Sequence, residues 1–218
     1  MIFFFVQVRR GKNVDWCDRG NGVWQVHLFR SIRRLGARLV DADRVTHQVL
    51  QNKGVVVRLQ EAFGRDIVGE DGELRRQEIG RRAFAGPSSW KLLEEIVKPS
   101  LAPRLWQEVE DAWGGAEEGM VVVDGPLIYE WGEEERFDVM IAVDAEVDLR
   151  ISRIRDRSGM SAMEIRQRMG FQMPAAEKRR KANFVVENGE GMGQLQNQAG
   201  KIWEILQHRQ SAKKVEGR

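Results

Sequence analysis

Acids stand at the ends of three hydrophobic runs. Asp41-Ala42-Asp43 follows ARLV, Asp124 begins DGPLIYE after MVVV, and Asp144-Ala145 follows MIAV. Ligands of open parallel sheets gather at the carboxyl ends of strands. A carboxylate there can bind a metal, accept a hydroxyl proton, or cap the next helix. Capping is the default for any one of them. Two acids after a single strand, Asp41 and Asp43, weaken that default modestly. The second cluster is basic. Arg150, Arg153, Arg155, Arg157, Arg166 and Arg168 crowd one helical stretch, and Lys178, Arg179, Arg180 and Lys181 follow it. Arginine suits bidentate contact with phosphate and charge on a transferring phosphoryl group. The plainer reading of the same residues is a solvated, salt-bridged helix face.

These groups need elements to hold them. ARLVDAD (37–43) reads as a strand running into a loop. The apolar spacing of 44–64 predicts a helix stopped at Gly64, and 75–86 predicts another. Residues 91–113 are helical on both sides of Lys98-Pro99, with Pro99 expected to end or kink the first piece. GMVVVDGPLIYE (119–130) is the clearest strand. Val121, Val122 and Val123 in succession imply burial on both faces, as in a parallel sheet. Residues 136–145 form a second such strand, 147–182 a basic helical segment broken at Ser158-Gly159, and 183–191 a short strand and turn. A terminal amphipathic helix covers 192–209, before a frayed tail. MIFFFVQV (1–8) is a candidate buried strand, too short for a bilayer span of about 20 residues and a poor signal peptide. Strands alternating with helices imply an α/β protein with right-handed crossovers.

Composition narrows the class. The 218 residues are 42% hydrophobic and 31% charged, as in a globular protein. Lys+Arg is 35 against Asp+Glu 33, so the basic pI is no argument for nucleic acid, and no membrane partner is expected. The single cysteine, Cys17, excludes an internal disulfide and fits a reducing cytoplasm. With no His positioned beside it, Cys17 is not expected to act as a nucleophile.

LGARLVDAD, then VVVDGPLIYE, then RIRDRSGMSAMEIRQRMGFQMPAAEKRRKANFVVENGEG resembles the dephospho-coenzyme A kinase family, over residues 35 to about 206. That family has a LGA…DAD segment, a D-x-P-L-L-x-E segment, and a long R-x-x-x-R-D-G-x-S…Q-x-P-x-x-x-K…N-x-G segment, in this order. The resemblance implies a parallel-sheet P-loop kinase fold (nucleoside-triphosphate hydrolase-like) with a helical substrate-binding insertion and a helical lid. The core would comprise 1–43, 119–145 and 183–209, the coenzyme-binding helices 44–118, the lid 147–182, and the flexible tail 210–218. The implied reaction is ATP-dependent phosphorylation of the ribose 3′-hydroxyl of dephospho-CoA, with Mg²⁺; a cytoplasmic protein is expected, and the sequence does not reveal its oligomeric state, a monomer being the expectation. Carried over by position, Asp43 is the base, assisted by Arg153 and Arg157. Asp41, His47, Lys98, Pro126, Leu127 and Ile128 would meet the substrate. Arg157, Arg168 and Asn188 would meet ATP, and no metal ligand is assigned. The departures here are mild: Ile128 and Tyr129 replace Leu and Phe, Lys98 stands for His, and Ser158 and Asn183 each stand for Asp.

The N-terminal departure is larger. The family's strand, L-T-G and phosphate loop G-x-x-x-x-G-K-[ST] supply amides, a lysine and a Mg²⁺ hydroxyl to the phosphates. Nothing between Arg19 and His27 supplies them as written. Family spacing back from Leu35 places Trp24-Gln25-Val26-His27 where Gly-Lys-Ser-Thr belongs. Shifted forward by one base, Trp24 before Gln25 must encode glycine, and Trp16 before Cys17 must do the same. Gln25 yields lysine or arginine, Val26 permits serine, and His27 permits threonine. The shifted reading of 14–27 is compatible with L-T-G-A-I-G-x-M-G-S-G-K-S-T, so residues from about 11 to 34 read as a frame-shifted phosphate loop. Such a chain would bind ATP phosphates poorly. A coenzyme-binding pseudokinase and another small-molecule P-loop kinase are the alternatives.

Overall fold

The computed structural model describes residues 2–8, 37–114, 120–189 and 192–216. Five strands form one sheet: β1 (Ile2–Val8), β2 (Arg38–Asp41), β3 (Met120–Asp124), β4 (Val139–Asp144) and β5 (Phe184–Glu187), in the order β2-β3-β1-β4-β5. β2 pairs parallel with β3, with Asp41 level with Asp124. β4 pairs parallel with β5, with Asp144 level with Glu187. All four acids therefore lie along one edge.

β3 shows why both faces are closed. Val121 and Val123 point into a core shared with the helices of 42–114, including Val45, Leu59, Leu101 and Leu105. Met120 and Val122 point the other way, with Ile141, Val143 and Val186, under Leu195, Ala199, Ile202 and Trp203. The period of two thus sends an unbroken valine run into two separate cores.

The 1–8 segment forms a strand, as its composition suggests, but its direction corrects the parallel reading of the sheet. β1 is antiparallel to both neighbours, with Phe4 level with Asp124, Val8 with Met120, and Ile2 with Val143. The slot between β3 and β4 requires an apolar strand, and IFFFVQV supplies one without charge. Mixed sheets tolerate such a reversal. Its last residue, Val8, consequently lies at the edge opposite the acids.

The helical region comprises α1 (Ala42–Val49), α2 (Lys53–Phe63), α3 (Arg76–Ala83) and α4 (Pro87–Gly114). The helix expected over 44–64 is two helices, because Asn52 caps α2 by accepting from the Gly54 amide at 2.9 Å. Gly64 ends it with φ +97. Pro99 does not end the helix: α4 continues through Pro99 and Pro103. Pro99 cannot donate to the Glu95 carbonyl one turn back. Arg58 donates to that carbonyl at 3.3 Å and to the Ile96 carbonyl at 3.5 Å, so the freed oxygen keeps a partner.

A single turn, α5 (Ile128–Trp131), follows β3. The basic segment folds as α6 (Val147–Ser158), α7 (Ala162–Gly170) and α8 (Ala175–Lys181), and Gly159 ends α6 with φ +69, where the break was read. Ser161 and Glu164 form a reciprocal capping box that starts α7. The last helix, α9 (Met192–Glu216), continues past 210, where a frayed tail was expected.

Candidate active site

The acids at the sheet edge take different roles. Asp41 caps α1, its Oδ1 accepting from the Arg44 amide at 3.0 Å. That is the default reading of a strand-end acid, and it occupies a group that the resemblance assigned to substrate. Asp43, in the first turn of the same helix, is exposed. A carboxylate there feels the positive helix terminus and stays accessible to a ligand.

The DGPLI loop comes close to this helix start. A Cβ on Gly125 would lie 3.2 Å from the Ala42 Cβ and 3.4 Å from Ile128 Cγ1. Glycine therefore lets the β3 loop lie against the residue between the two acids. Pro126 and Leu127 are half-buried at this junction. Ile128, expected to line the substrate side, instead lies fully buried in the apolar core.

Lys98 reaches the loop's far end, donating to the Trp131 carbonyl at 2.8 Å. Burial pushes the neighbouring Glu94 carboxyl up, opposed by Lys98 and aided by the Glu130 charge. His47 sits on the same helix as Asp43, with its Nε2 against the Arg76 guanidinium of α3.

At the β4–β5 side, Arg179 bridges two acids. Its Nη1 lies 2.8 Å from Asp144 Oδ2 and 2.7 Å from Glu187 Oε1. Those bonds, Asp144 first, raise its pKa further. Arg153 donates to the Asn188 carbonyl at 2.9 Å, and burial lowers its own pKa. Asn188 is buried, and its Oδ1 meets no donor among the described residues. An orphaned buried acceptor is costly unless a ligand donor completes it.

Arg168 does not join that group. Its guanidinium lies 4.9 Å above the Phe84 ring and is desolvated there, which lowers its pKa. Phe84 also stacks on Trp90 at 4.8 Å and meets Phe171 edge-on at 5.5 Å. Helix α7 is thereby docked against Phe84 and Trp90, at the end of α3 and the start of α4. Gly80 makes room for this, since a Cβ there would sit 2.8 Å from Arg168 Nη2. Gly80→Leu should displace the guanidinium. Losing a cation–π contact of about 0.5–2 kcal/mol predicts roughly two- to thirty-fold more local opening of α7. Limited trypsin digestion at Arg166 and Arg168 measures it, and an unchanged cleavage rate would rule out docking through this contact.

Other expected residues lie outside this description. The Arg157 side chain and the segment from Arg19 to His27 fall outside the described residues. Sequence reading places Lys178 and Arg179 in the basic cluster without assigning either a role, and gives none to Glu130. Each lies within a segment that carries the resemblance, so motif position was the available signal. Nothing in KRRK distinguishes the buried lysine from its exposed neighbours.

A family model described as dephospho-CoA kinase (CoaE) matches residues 25–194. The chain belongs to the dephospho-CoA kinase family. The match begins within Trp24–His27, where the phosphate loop's last residues are expected. The dephospho-CoA kinase of Symbiobacterium thermophilum is 33% identical over 175 residues, covering 79% of this chain and 72% of the relative. That of Streptomyces avermitilis is 31% identical over 191 residues, covering 87% and 92%. A crystal structure of a Thermus thermophilus protein aligns with TM-score 0.67 at 30% identity, over 82% of this chain and 88% of that one. The dephospho-CoA kinase structure from Campylobacter jejuni aligns with TM-score 0.59 over 89% and 95%. At 19% identity that likeness speaks for the fold alone. The parallel strand pairs and flanking helices are consistent with the α/β fold of a P-loop kinase. Among the described residues no helix is long and apolar enough to cross a membrane.

Proposed function

We propose that this site phosphorylates the ribose 3′-hydroxyl of dephospho-CoA from ATP, and that the chain as written keeps the coenzyme half of the site without its phosphate loop. The hydroxyl is held between Asp43 and the Pro126-Leu127 loop. Asp43 accepts its proton as the 3′ oxygen bonds to the γ-phosphorus. The bond from that phosphorus to the β–γ bridging oxygen breaks, and ADP leaves. Arg153 and Arg157 meet the charge on the transferring group, while Asn188 offers its orphaned oxygen to an amino donor on the nucleotide. Mg²⁺, when bound with ATP, neutralises charge on the β- and γ-oxygens. The hydroxyl that would hold it belongs to the family's phosphate loop, and residues 19–27 as written contain no Ser or Thr to supply it. The observation that carries this reading is the exposed Asp43 beside the Gly125–Ala42 junction.

The reversed β1 favours a second reading, a coenzyme-binding pseudokinase. A phosphate loop must leave the carboxyl end of its strand at the acid-bearing edge. β1 ends at the other edge. Calorimetry separates the two halves of the site: this exact chain should bind dephospho-CoA with a Kd of about 1 mM or tighter, and show no ATP binding in that range. Ordinary turnover by this chain would refute the lost-loop reading. Absence of dephospho-CoA binding would refute the site assignment.

A further inference from the structure

Lys178 is the one charged side chain that the structure buries completely among the described residues, and phosphoryl transfer as derived above does not use it. It lies on α8 with 0% exposure. Its Nζ donates to the Pro126 carbonyl at 2.9 Å and to Glu130 Oε1 at 2.6 Å. The same Glu130 oxygen accepts from the Met173 amide at 2.8 Å. Glu130 is itself nearly buried, with its side chain 10% exposed. Burial pushes the Lys178 ammonium down, while Glu130 holds it up.

These bonds close a loop of contacts. One side is 126–130, which begins at the end of β3 and lies against α1 through Gly125. The other is 173–178, the base of the lid. A buried ion pair is a poor way to gain stability, because desolvating both charges offsets their attraction. Apolar side chains would fill the same space. What they would not supply is a donor for the Pro126 carbonyl, beside the residue at the Asp43 junction.

We propose that Lys178 is a positioning residue: it fixes the Pro126 loop and ties that loop's place to the position of the lid. The proposal rests on reading 126–127 as the coenzyme side. When α8 moves, the Pro126 carbonyl must follow or lose its donor. Lid closure and acceptor placement are then a single event.

The test compares Lys178→Met with the double variant Lys178→Met/Glu130→Gln in the full chain. The single variant strands a buried carboxylate and should be less stable. The double variant removes that charge and should recover most of the wild-type Tm. A merely structural pair would then recover everything else as well. Positioning predicts that the double variant still exchanges amide hydrogens of 125–131 about tenfold faster than wild type, from the loss of one hydrogen bond. Its affinity for dephospho-CoA should be about tenfold weaker. Unchanged exchange in a stable double variant overturns the proposal, as does faster exchange with unchanged dephospho-CoA affinity. If wild type binds no dephospho-CoA, the site assignment fails, and the exchange measurement alone decides whether Lys178 fixes the loop.

Discussion

Expressing the gene with its frame restored over residues 11–34 should raise dephospho-CoA phosphorylation by about 10⁴-fold or more over the chain as written. A single oriented donor at a developing charge is typically worth about 3–4 kcal/mol. The restored loop returns several amides, a lysine and a hydroxyl. Two such groups acting independently already exceed about four decades in rate, and groups acting together do not simply add. The measurement is ADP release dependent on dephospho-CoA, with both proteins at equal concentration. Restoration has a structural condition as well. The new strand must run toward the acids, so Ile2–Val8 must leave the slot between β3 and β4. A restored protein no faster than the original would eliminate the frame-shift reading. Sequencing codons 1–40 from an independent isolate then says whether the lesion belongs to the living gene.

In that restored protein, Asp43→Asn should lower kcat by about 10²–10⁴, the usual worth of a positioned base. Dephospho-CoA binding should stay as it was, because the amide keeps the shape and removes only the proton acceptor. Asp41→Asn supplies the contrast. Asparagine caps a helix about as well as aspartate. The bond from the Arg44 amide survives that change, and the rate should change little. Isothermal binding measured beside steady-state kinetics separates the two residues. If Asp41→Asn were the slow variant and Asp43→Asn the normal one, the base would be misassigned.

Much of this fold is legible in the sequence, for physical reasons. A run such as Val121-Val122-Val123 has no polar face, so its strand must be covered on both sides, and two cores result. Gly159 and the Ser161–Glu164 box mark the boundary of α6 and α7 by backbone and capping chemistry. The acids follow hydrophobic runs and so land on one edge. Other features depend on partners far along the chain. Pro99 fails to break α4 because Arg58 satisfies the carbonyl it abandons. Burial of Ile128 and exposure of Asp43 depend on how the β3 loop meets α1, which rests on one glycine. The buried Lys178 looks like any lysine in a basic run until Glu130 and Pro126 are brought to it. The direction of β1 is invisible to composition, since an apolar strand reads the same in either sense.

The reversed strand has a consequence for how the molecule is made. Ile2–Val8 leaves the ribosome more than 110 residues before the strands it pairs with, Met120–Asp124 and Val139–Asp144. Val8 waits for Met120, and Ile2 for Val143. Until β4 has been synthesised, a run of uncharged, β-prone residues has nowhere to pair, and such segments are aggregation hazards while exposed. Pairing over so long a span also slows folding, because loop closure comes before the contacts that reward it. The nascent chain is therefore expected to depend on chaperones through most of its synthesis. The yield of soluble protein should follow how well the cell shelters Ile2–Val8.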